Sequence, residues 1–267
     1  MTKMHQQKGF TLVELAIVLT IIGLLIGGIL KGQQLMENAR VSATMAQVKA
    51  IEAAVTTFQD TYSGIPGDLV TAPTRVPNCG NCGLAVAVTA GDGIVGLDTW
   101  DMSALQSASF AGGPTAGNVN NETLLFWVHL AHANLVSGVT DDGITSIAPS
   151  FGGSLPAARV GGGFIVGYAN TTATAVIPGR PVPESLTGTS LALVPNPSAP
   201  LGAVVGTNVL TPILAGQMDR KMDDGIPATG FVQSYGLAAS CYAGAAVPYT
   251  YSAADSKDCG QYFKIGG

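Results

Sequence analysis

The sequence predicts an α+β protein in which a long N-terminal helix precedes a domain that contains a β-sheet. The first observation is an apolar run over 10–30, which holds a single charged residue, Glu14. The second is a set of apolar residues at helical spacing over 41–62. The third is a series of short apolar segments after residue 163, bounded by glycine, proline and asparagine. Because the helical signals come first and the strand signals follow, their order indicates the α+β class.

The run over 10–30 has the length and composition of a membrane span. A helix rises about 1.5 Å per residue, so this run just crosses a hydrocarbon core of about 30 Å. Lys3 and Lys8 precede the run, and positive charges there orient the leader to the cytoplasm and the rest of the chain outside. A secretory signal peptide has its cleavage site after its apolar core, whereas Gly9 precedes the core here. A cut at Gly9 would therefore leave the apolar helix on the mature protein.

Glu14 is unusual because a carboxylate in a membrane helix is costly. Insertion scales put that cost at about 2.5–3.5 kcal/mol, so we predict a functional role and a partner for it. The alternative is a side chain that reaches the lipid headgroups from near the end of the helix. If the chain began at Phe10, its terminal amine would lie one helical turn from Glu14.

The sequence Lys8-Gly9-Phe10-Thr11-Leu12-Val13-Glu14, followed at once by the apolar run, resembles the N-terminus of a type IV prepilin or of a type II secretion pseudopilin. The resemblance implies that a prepilin peptidase cuts between Gly9 and Phe10. It also implies N-methylation of the new terminal Phe10. In that family the residue matching Glu14 neutralises the N-terminal amine of a neighbouring subunit during assembly, so Glu14 is predicted to be an assembly residue.

The resemblance also implies how the chain is organised. Residues 1–9 are expected to be the leader, 10–62 the N-terminal helix with 10–30 as its transmembrane and assembly part, and 63–267 a pilin-like domain with a mainly antiparallel sheet. The implied partners are copies of this chain and other pilins, the prepilin peptidase, the inner membrane and the assembly platform. We expect a single-pass inner-membrane protein before assembly and a periplasm-facing or cell-surface filament afterwards.

The second half of the predicted helix is amphipathic, with apolar residues at steps of three and four. These residues are Val41, Met45, Val48, Ile51, Val55, Phe58 and Tyr62. Polar residues fall on the other faces, so this half is expected to pack against the sheet of its own domain. The sequence Tyr62-Ser63-Gly64-Ile65-Pro66-Gly67 is expected to end the helix.

The rest of the chain is predicted to be rich in loops, with two further helices and several strands. One helix is expected from a cap at Asn120 or Asn121 to about Leu135, and another from Thr211-Pro212 to Asp223-Asp224-Gly225. Strands are predicted over 164–168, 173–177, 191–194, 203–210 and 231–235, the last of these being the final strand.

Four cysteines lie in a domain that is expected outside the cytoplasm, where disulfides persist. Many pilins close a C-terminal loop with a disulfide, and Cys241 and Cys259 occupy that position in this chain. Cys79 and Cys82 have the spacing of a tight local bridge, with a redox pair or half of a zinc site as the alternatives. The sequence by itself does not determine the pairing.

Acidic turns and a histidine pair are possible metal ligands. The acidic clusters are Asp92, Asp98 and Asp101; Asp141 and Asp142; and Asp219, Asp223 and Asp224. Calcium prefers such oxygen ligands, but the spacings differ from an EF-hand, and Asp-Gly is a common turn sequence. We therefore expect turns and caps without a metal. His129 and His132 are expected to be packed or solvated.

Charge and motifs narrow the function. Loss of residues 1–9 removes Lys3 and Lys8, so the formal net charge falls from -5 to -7, which disfavours broad binding to nucleic-acid backbones. Nucleotide loops, zincin motifs and nucleophile elbows are absent from the sequence, so no enzyme, cofactor or small-molecule substrate is expected. The sequence predicts a structural subunit of a type IV pilus-like filament. The alternatives are a type II secretion pseudopilin that acts as a piston, and an unprocessed, membrane-anchored protein that binds a surface ligand.

Overall fold

The computed structural model describes residues 10–80, 82, 91–96, 122–140, 150–169, 188–197, 206–236, 240–243 and 250–265. The chain divides into two compact units, 1–40 and 41–267. The predicted α+β class is confirmed, because a long N-terminal helix is followed by a domain with an antiparallel sheet. The strand predicted over 173–177 and the acidic residues Asp98, Asp101, Asp141 and Asp142 lie outside the described residues.

Helix α1 spans Leu12–Tyr62, which is 51 residues. Its apolar side chains before residue 31 are exposed to solvent, as a membrane segment requires. The hydroxyl of Thr20 donates to the carbonyl oxygen of Ile17 at 2.8 Å, so this polar group finds its partner within the helix. The helix ends at the predicted residue, and Ser63 after it takes a φ of 52°.

Within the second unit, one stripe of α1 is buried in the domain core. Its buried members are Val41, Thr44, Val48, Ile51, Ala54, Val55 and Phe58. The predicted amphipathic pattern is thereby confirmed, with Met45 and Tyr62 only partly buried. Backbone N–H groups of the loop before the sheet also bind the helix, since Val160 donates to Thr44 Oγ1 at 3.1 Å and Arg159 to Gln47 Oε1 at 3.1 Å.

The main sheet has four antiparallel strands in the part of the chain that the structure describes. They are β1 (Gly163–Ala169), β2 (Gly188–Val194), β3 (Val232–Gly236) and β6 (Cys259–Lys264), in the spatial order β1-β2-β6-β3. Between β3 and β6 in sequence, β4 (Tyr242–Ala243) and β5 (Thr250–Tyr251) form a separate antiparallel pair. Phe263 of β6 pairs with Leu191 on one side and with Val232 on the other, so β6 is a central strand.

Two strand predictions were wrong. The segment over 231–235 was expected to be the final strand, but β6 follows it in sequence and lies between β2 and β3. A strand was expected over 203–210, but its described part, 206–210, forms only a bridge from Leu210 to Cys259. Asn208 N–H donates to the Lys257 carbonyl at 2.9 Å, so this segment meets the start of β6 at isolated points.

Three shorter helices complete the described elements: α2 (Ala72–Arg75), α3 (Glu122–His132) and α4 (Pro212–Met222). Helix α3 ends before the predicted Leu135, because Asn134 takes a left-handed φ of 56° and Leu135 N–H donates to the Leu130 carbonyl at 3.0 Å. Helix α4 begins where predicted, with the Thr211 hydroxyl accepting from Leu214 N–H at 3.3 Å.

Among the described residues, one hydrophobic core joins the buried stripe of α1, helix α3 and the sheet. Among its largest fully buried side chains are Trp127 and Phe126 of α3, whose rings meet edge to face at 5.0 Å. Tyr235 and Tyr262 pair across β3 and β6 at 4.7 Å. Through this core, α3 contacts α1 at Phe58 and strand β1 of the sheet.

Candidate functional site

The N-terminal turn of α1 is held by Thr11 and Glu14. The backbone N–H and the hydroxyl of Thr11 donate to Glu14 Oε2 at 2.9 and 2.8 Å. In return, the backbone N–H of Glu14 donates to Thr11 Oγ1 at 3.3 Å. These reciprocal contacts form a capping box, which satisfies N–H groups that a helix start leaves without partners. Negative charge is also favoured at this end of a helix. In the isolated chain the Glu14 carboxylate thus has a local partner.

The first part of α1 meets the criteria for a membrane span. Among the described residues, α1 is the one helix long and apolar enough to cross a bilayer, and its most apolar stretch is not buried by the rest of the chain. Phe10 is 91% exposed, and the leucines, isoleucines and valines that follow are exposed as well. Gly9, the predicted cleavage residue, lies outside the described residues. Phe10 lies two residues before the first residue of α1 and four positions before Glu14.

Residues 4–30 match the model of the prokaryotic N-terminal methylation motif. The chain carries this motif. The N-terminal methylation motif is the hallmark of type IV prepilin-like and pseudopilin-like proteins, and it includes Gly9, Phe10 and Glu14. It implies processing by a prepilin peptidase and pilin assembly, and together with α1 it fits a single-pass anchor in the inner membrane. No curated protein and no solved structure is significantly similar to the chain.

The four cysteines form two disulfides, Cys79–Cys82 and Cys241–Cys259, which are the two pairings that the sequence and the resemblance suggested. All four side chains are buried, and none is a free thiol. The first disulfide closes a turn between α2 and α3. The second links Cys241, directly before β4, to Cys259, the first residue of β6. The β4–β5 pair therefore lies inside the loop that this disulfide closes.

The Cys79–Cys82 disulfide lies beside His129, and the possible ligand atoms of these three residues lie within 4.8 Å of one another. A zinc site does not fit this arrangement, because the two sulfur atoms are bonded to each other. Both ring nitrogens are also occupied, since Gly67 N–H donates to Nδ1 at 2.9 Å and Nε2 lies 3.0 Å from the Cys82 carbonyl. His129 is thus a packed histidine, as the sequence predicts. His132 is partly exposed.

Two buried carboxylates hold the loop over 91–96. Asp68 accepts from the backbone N–H groups of Gly91 and Gly93, the latter at 2.8 Å, and Glu122 Oε2 accepts from Gly96 N–H at 2.6 Å. Burial raises the pKa of Asp68, although the two backbone donors oppose the change. This contact was not predicted from the sequence. Its signal is Gly67-Asp68 directly before a helix and Gly91-Asp92-Gly93 farther on, turn sequences that leave backbone N–H groups to be satisfied.

The acidic cluster at the C-terminal end of α4 consists of Asp219 in the helix and Asp223 and Asp224 directly after it, with carboxylate oxygens within 4.8 Å of one another. Asp223 Oδ2 accepts from the N–H groups of Phe231 and Val232 at 2.6 and 3.0 Å, and Asp224 Oδ1 accepts from Ile226 N–H at 2.8 Å. These oxygens therefore cap the turn between α4 and β3, as the sequence predicts.

Asp219 differs from its two neighbours because its side chain is fully buried. Its Oδ2 accepts from the Tyr251 hydroxyl at 2.7 Å and its Oδ1 from Gly225 N–H at 3.0 Å. Burial raises the pKa of Asp219 to about 7, and the nearby charges of Asp224 and Asp223 act in the same direction. The cluster thus contains one carboxyl group that takes up a proton near neutral pH.

Proposed function

We propose that this chain is a structural subunit of a type IV pilus-like filament, cut after Gly9, methylated at Phe10 and polymerised through its N-terminal helix. The observation that carries the proposal is the methylation motif over 4–30, which coincides with the exposed apolar half of α1. The second half of the same helix is buried in the domain core from Val41 onward. One helix therefore supplies a free apolar segment and a firmly held stem.

The exposed segment needs an apolar environment in every state of the protein. Water contact of leucine and isoleucine costs roughly 25 cal/mol per Å² of apolar surface, and the side chains over 12–30 are exposed in the isolated chain. The bilayer covers them before assembly. In a filament, the same segments of neighbouring subunits cover one another. Because both environments are apolar, the transfer leaves the hydrophobic surface covered throughout.

Glu14 favours the transfer of a subunit from the bilayer into the filament. In the isolated chain its carboxylate accepts from Thr11 within one helical turn. Cleavage at Gly9 creates a positively charged amine on Phe10, and burial of an unpaired ammonium in a filament core is strongly unfavourable. A Glu14 carboxylate on the neighbouring subunit removes that penalty. Only one axial register brings the two charges together, so the pair also selects the register.

We also propose that the chain has a structural and not a catalytic role. Each buried carboxylate and the buried histidine of the described residues accepts from a backbone N–H group of a neighbouring turn or loop. These residues are Asp68, Glu122, His129, Asp219 and Asp258. Such contacts stabilise loops.

Processing tests the proposal directly. Mass spectrometry of the membrane and filament fractions should detect a chain that begins at methylated Phe10. Gly9→Val should block cleavage and leave a chain that begins at Met1. Gly32→Val is the matched control, because a side chain added at Gly32 meets no atom within 4 Å. A wild-type chain that keeps residues 1–9 in a cell with active prepilin peptidase contradicts the proposal and favours the unprocessed, membrane-anchored binding protein.

The pseudopilin alternative predicts a different phenotype. A strain that lacks a filament subunit should lose fibres that shear from the cell surface. Loss of protein secretion, with no fibre on the wild-type surface, would instead identify a piston subunit of a type II secretion system.

A further inference from the structure

His129 lies where three parts of the domain meet. It is located on α3 and its side chain is fully buried. Gly67, in the turn after α1, donates its N–H to Nδ1 at 2.9 Å, and the carbonyl of Cys82 lies 3.0 Å from Nε2. The ring of Phe58 on α1 stacks on the imidazole, with centroids 6.0 Å apart and planes at 8°. One side chain thus contacts α1, the turn over 63–68 and the disulfide turn over 79–82.

The two backbone contacts fix the protonation state of the ring. A backbone N–H only donates and a carbonyl only accepts, so Nδ1 must carry a lone pair and Nε2 must carry the hydrogen. This is the neutral imidazole. A second proton would sit on Nδ1 and point at the N–H of Gly67. Protonation therefore replaces a buried hydrogen bond by two donors that face each other.

The turn that holds Gly67 packs closely against the backbone of α3. Gly67 takes a φ of +92°, and a side-chain carbon at this position would lie 2.5 Å from the carbonyl oxygen of Glu122 on α3. The next residue, Asp68, binds the loop over 91–96 through Gly93 N–H at 2.8 Å. Movement of the turn would therefore also disturb that loop.

We propose that His129 is an acid-sensitive latch, whose protonation releases the turn over 63–68 and the loop over 91–96 from α3 while the four-stranded sheet stays folded. The strands of this sheet are held together by their own antiparallel hydrogen bonds, and the second disulfide anchors Cys259 at the start of β6. The latch acts on the part of the domain that follows α1 directly. Acidic surroundings would open that part first.

A protonated Nδ1 would need a hydrogen-bond acceptor in place of the contact with Gly67. The charged and titratable groups around His129 do not supply that acceptor. The turn contributes Asp68 and α3 contributes Glu122, and both carboxylates accept from amides of the loop over 91–96. On α3, His132 is a second potential cation, and α1 contributes Tyr62, which packs on Phe58 at 4.6 Å. Cys79 and Cys82 are joined in a disulfide and do not titrate.

The sign of the effect follows from burial. Burial lowers the pKa of His129 from its usual 6.5; the Cys82 contact opposes this change, and the field of His132 adds to it. A group with a lowered pKa contributes stability that is complete above its unfolded pKa, and this contribution is lost as the pH falls through the folded pKa. The latch is therefore closed above pH 6.5. It opens at a more acidic pH.

Hydrogen–deuterium exchange of the full, oxidised chain in detergent micelles tests the latch between pH 4 and 8. After correction for intrinsic exchange, protection of a peptide covering 63–69 should fall about tenfold per pH unit below 6.5, until the folded pKa is passed. A peptide covering 259–264 reports the sheet and should keep its protection. Asp219 takes up its proton in the same range, but its raised pKa makes protonation stabilising.

Two substitutions separate His129 from other acid-sensitive groups. His129→Asn places an oxygen near the position of Nδ1 that can accept from Gly67 N–H and does not titrate, so protection of 63–69 should lose its pH dependence. His132→Asn, on the same helix, is the matched control and should keep the wild-type dependence.

Three results would each overturn the latch. The first is wild-type protection at 63–69 that does not change with pH. The second is an equal loss of protection at acidic pH in the peptides 63–69 and 259–264, which would indicate global unfolding. This comparison uses the wild type, so it remains valid if a variant does not fold. The third is an unaltered acid loss in His129→Asn.

Discussion

The hydroxyl of Tyr251 donates to Asp219 Oδ2 at 2.7 Å, and this contact joins the C-terminal disulfide loop to helix α4. The same hydroxyl lies 2.7 Å from Ser234 Oγ on β3. Three segments that are distant in sequence therefore meet at the hydroxyl group of Tyr251. The loop between Cys241 and Cys259 is held to the domain by this contact as well as by its disulfide.

Asp219→Asn should reduce the loss of stability that wild type suffers as the pH rises. The pKa of Asp219 is raised from 3.8 to about 7, so its contribution is complete below pH 3.8 and is lost as the pH rises through about 7. One pKa unit corresponds to about 1.4 kcal/mol, so the loss of stability between pH 4 and pH 8 is at most about 4 kcal/mol. Urea unfolding at pH 4 and pH 8 measures the difference.

Between pH 4 and pH 8, the free energy of unfolding of Asp219→Asn should therefore rise relative to that of wild type. Loss of a hydrogen-bond acceptor lowers the variant equally at both pH values, so only the change with pH is diagnostic. Asp60→Asn, on an exposed face of α1, is the control and should follow wild type. A constant difference between wild type and Asp219→Asn would show that the carboxyl does not titrate in this range.

Removal of the second disulfide should cost more stability than removal of the first. Cys241 and Cys259 are 18 positions apart, whereas Cys79 and Cys82 are 3 apart. Loop-closure entropy gives about 3 kcal/mol for the longer loop and about 2 kcal/mol for the shorter one. Paired Cys→Ser variants compared by urea unfolding test the order, after non-reducing peptide mapping of wild type has established both links. The reverse order would show that strain or contacts outweigh loop length.

Gly67→Ala should destabilise the domain by about 2–4 kcal/mol. The residue combines a φ of +92°, which other residues adopt with strain, with a close approach to the backbone of α3 at the Glu122 carbonyl. Gly80→Ala is the matched control, because a side chain there meets no atom within 4 Å. Thermal unfolding of the two variants should separate them clearly. Equal midpoints would mean that the turn relaxes without cost.

The sequence predicted the elements whose signals are local. The apolar run, the stripe from Val41 to Phe58 and the cap at Thr211 each depend on residues a few positions apart, and the structure contains all three. Strand β6 was missed because Cys259-Gly260-Gln261-Tyr262-Phe263 is buried on both faces and therefore lacks the alternation of a half-buried strand. Its central position follows from pairing with β2 and β3.

The polar contacts of the candidate sites were harder to predict because they join distant parts of the chain. His129 binds Gly67 from 62 positions away, and Tyr251 binds Asp219 from 32 positions away. A single sequence contains the turn residues and the buried histidine but no information on which pairs meet. The methylation motif, in contrast, is a contiguous segment and was recognised from its residues alone.

The central claim is that Glu14 acts in assembly and not in folding. Glu14 lies in the first unit of the chain, and its described partner is Thr11, so Glu14→Ala should leave the fold of residues 41–267 unchanged. Loss of the carboxylate should ease residence in the bilayer. Docking should suffer, because the Phe10 amine of the next subunit would be buried without a partner.

The decisive measurement is the amount of subunit in sheared filaments relative to subunit retained in membranes, at equal expression. Wild type is compared with Glu14→Ala and with the control Glu37→Ala, which removes an exposed carboxylate from the same helix outside the apolar run. We predict a loss of filaments for Glu14→Ala, with subunit accumulating in the membrane, and wild-type yields for Glu37→Ala. Equal filament yields for wild type and Glu14→Ala would contradict the proposed role of the carboxylate in assembly.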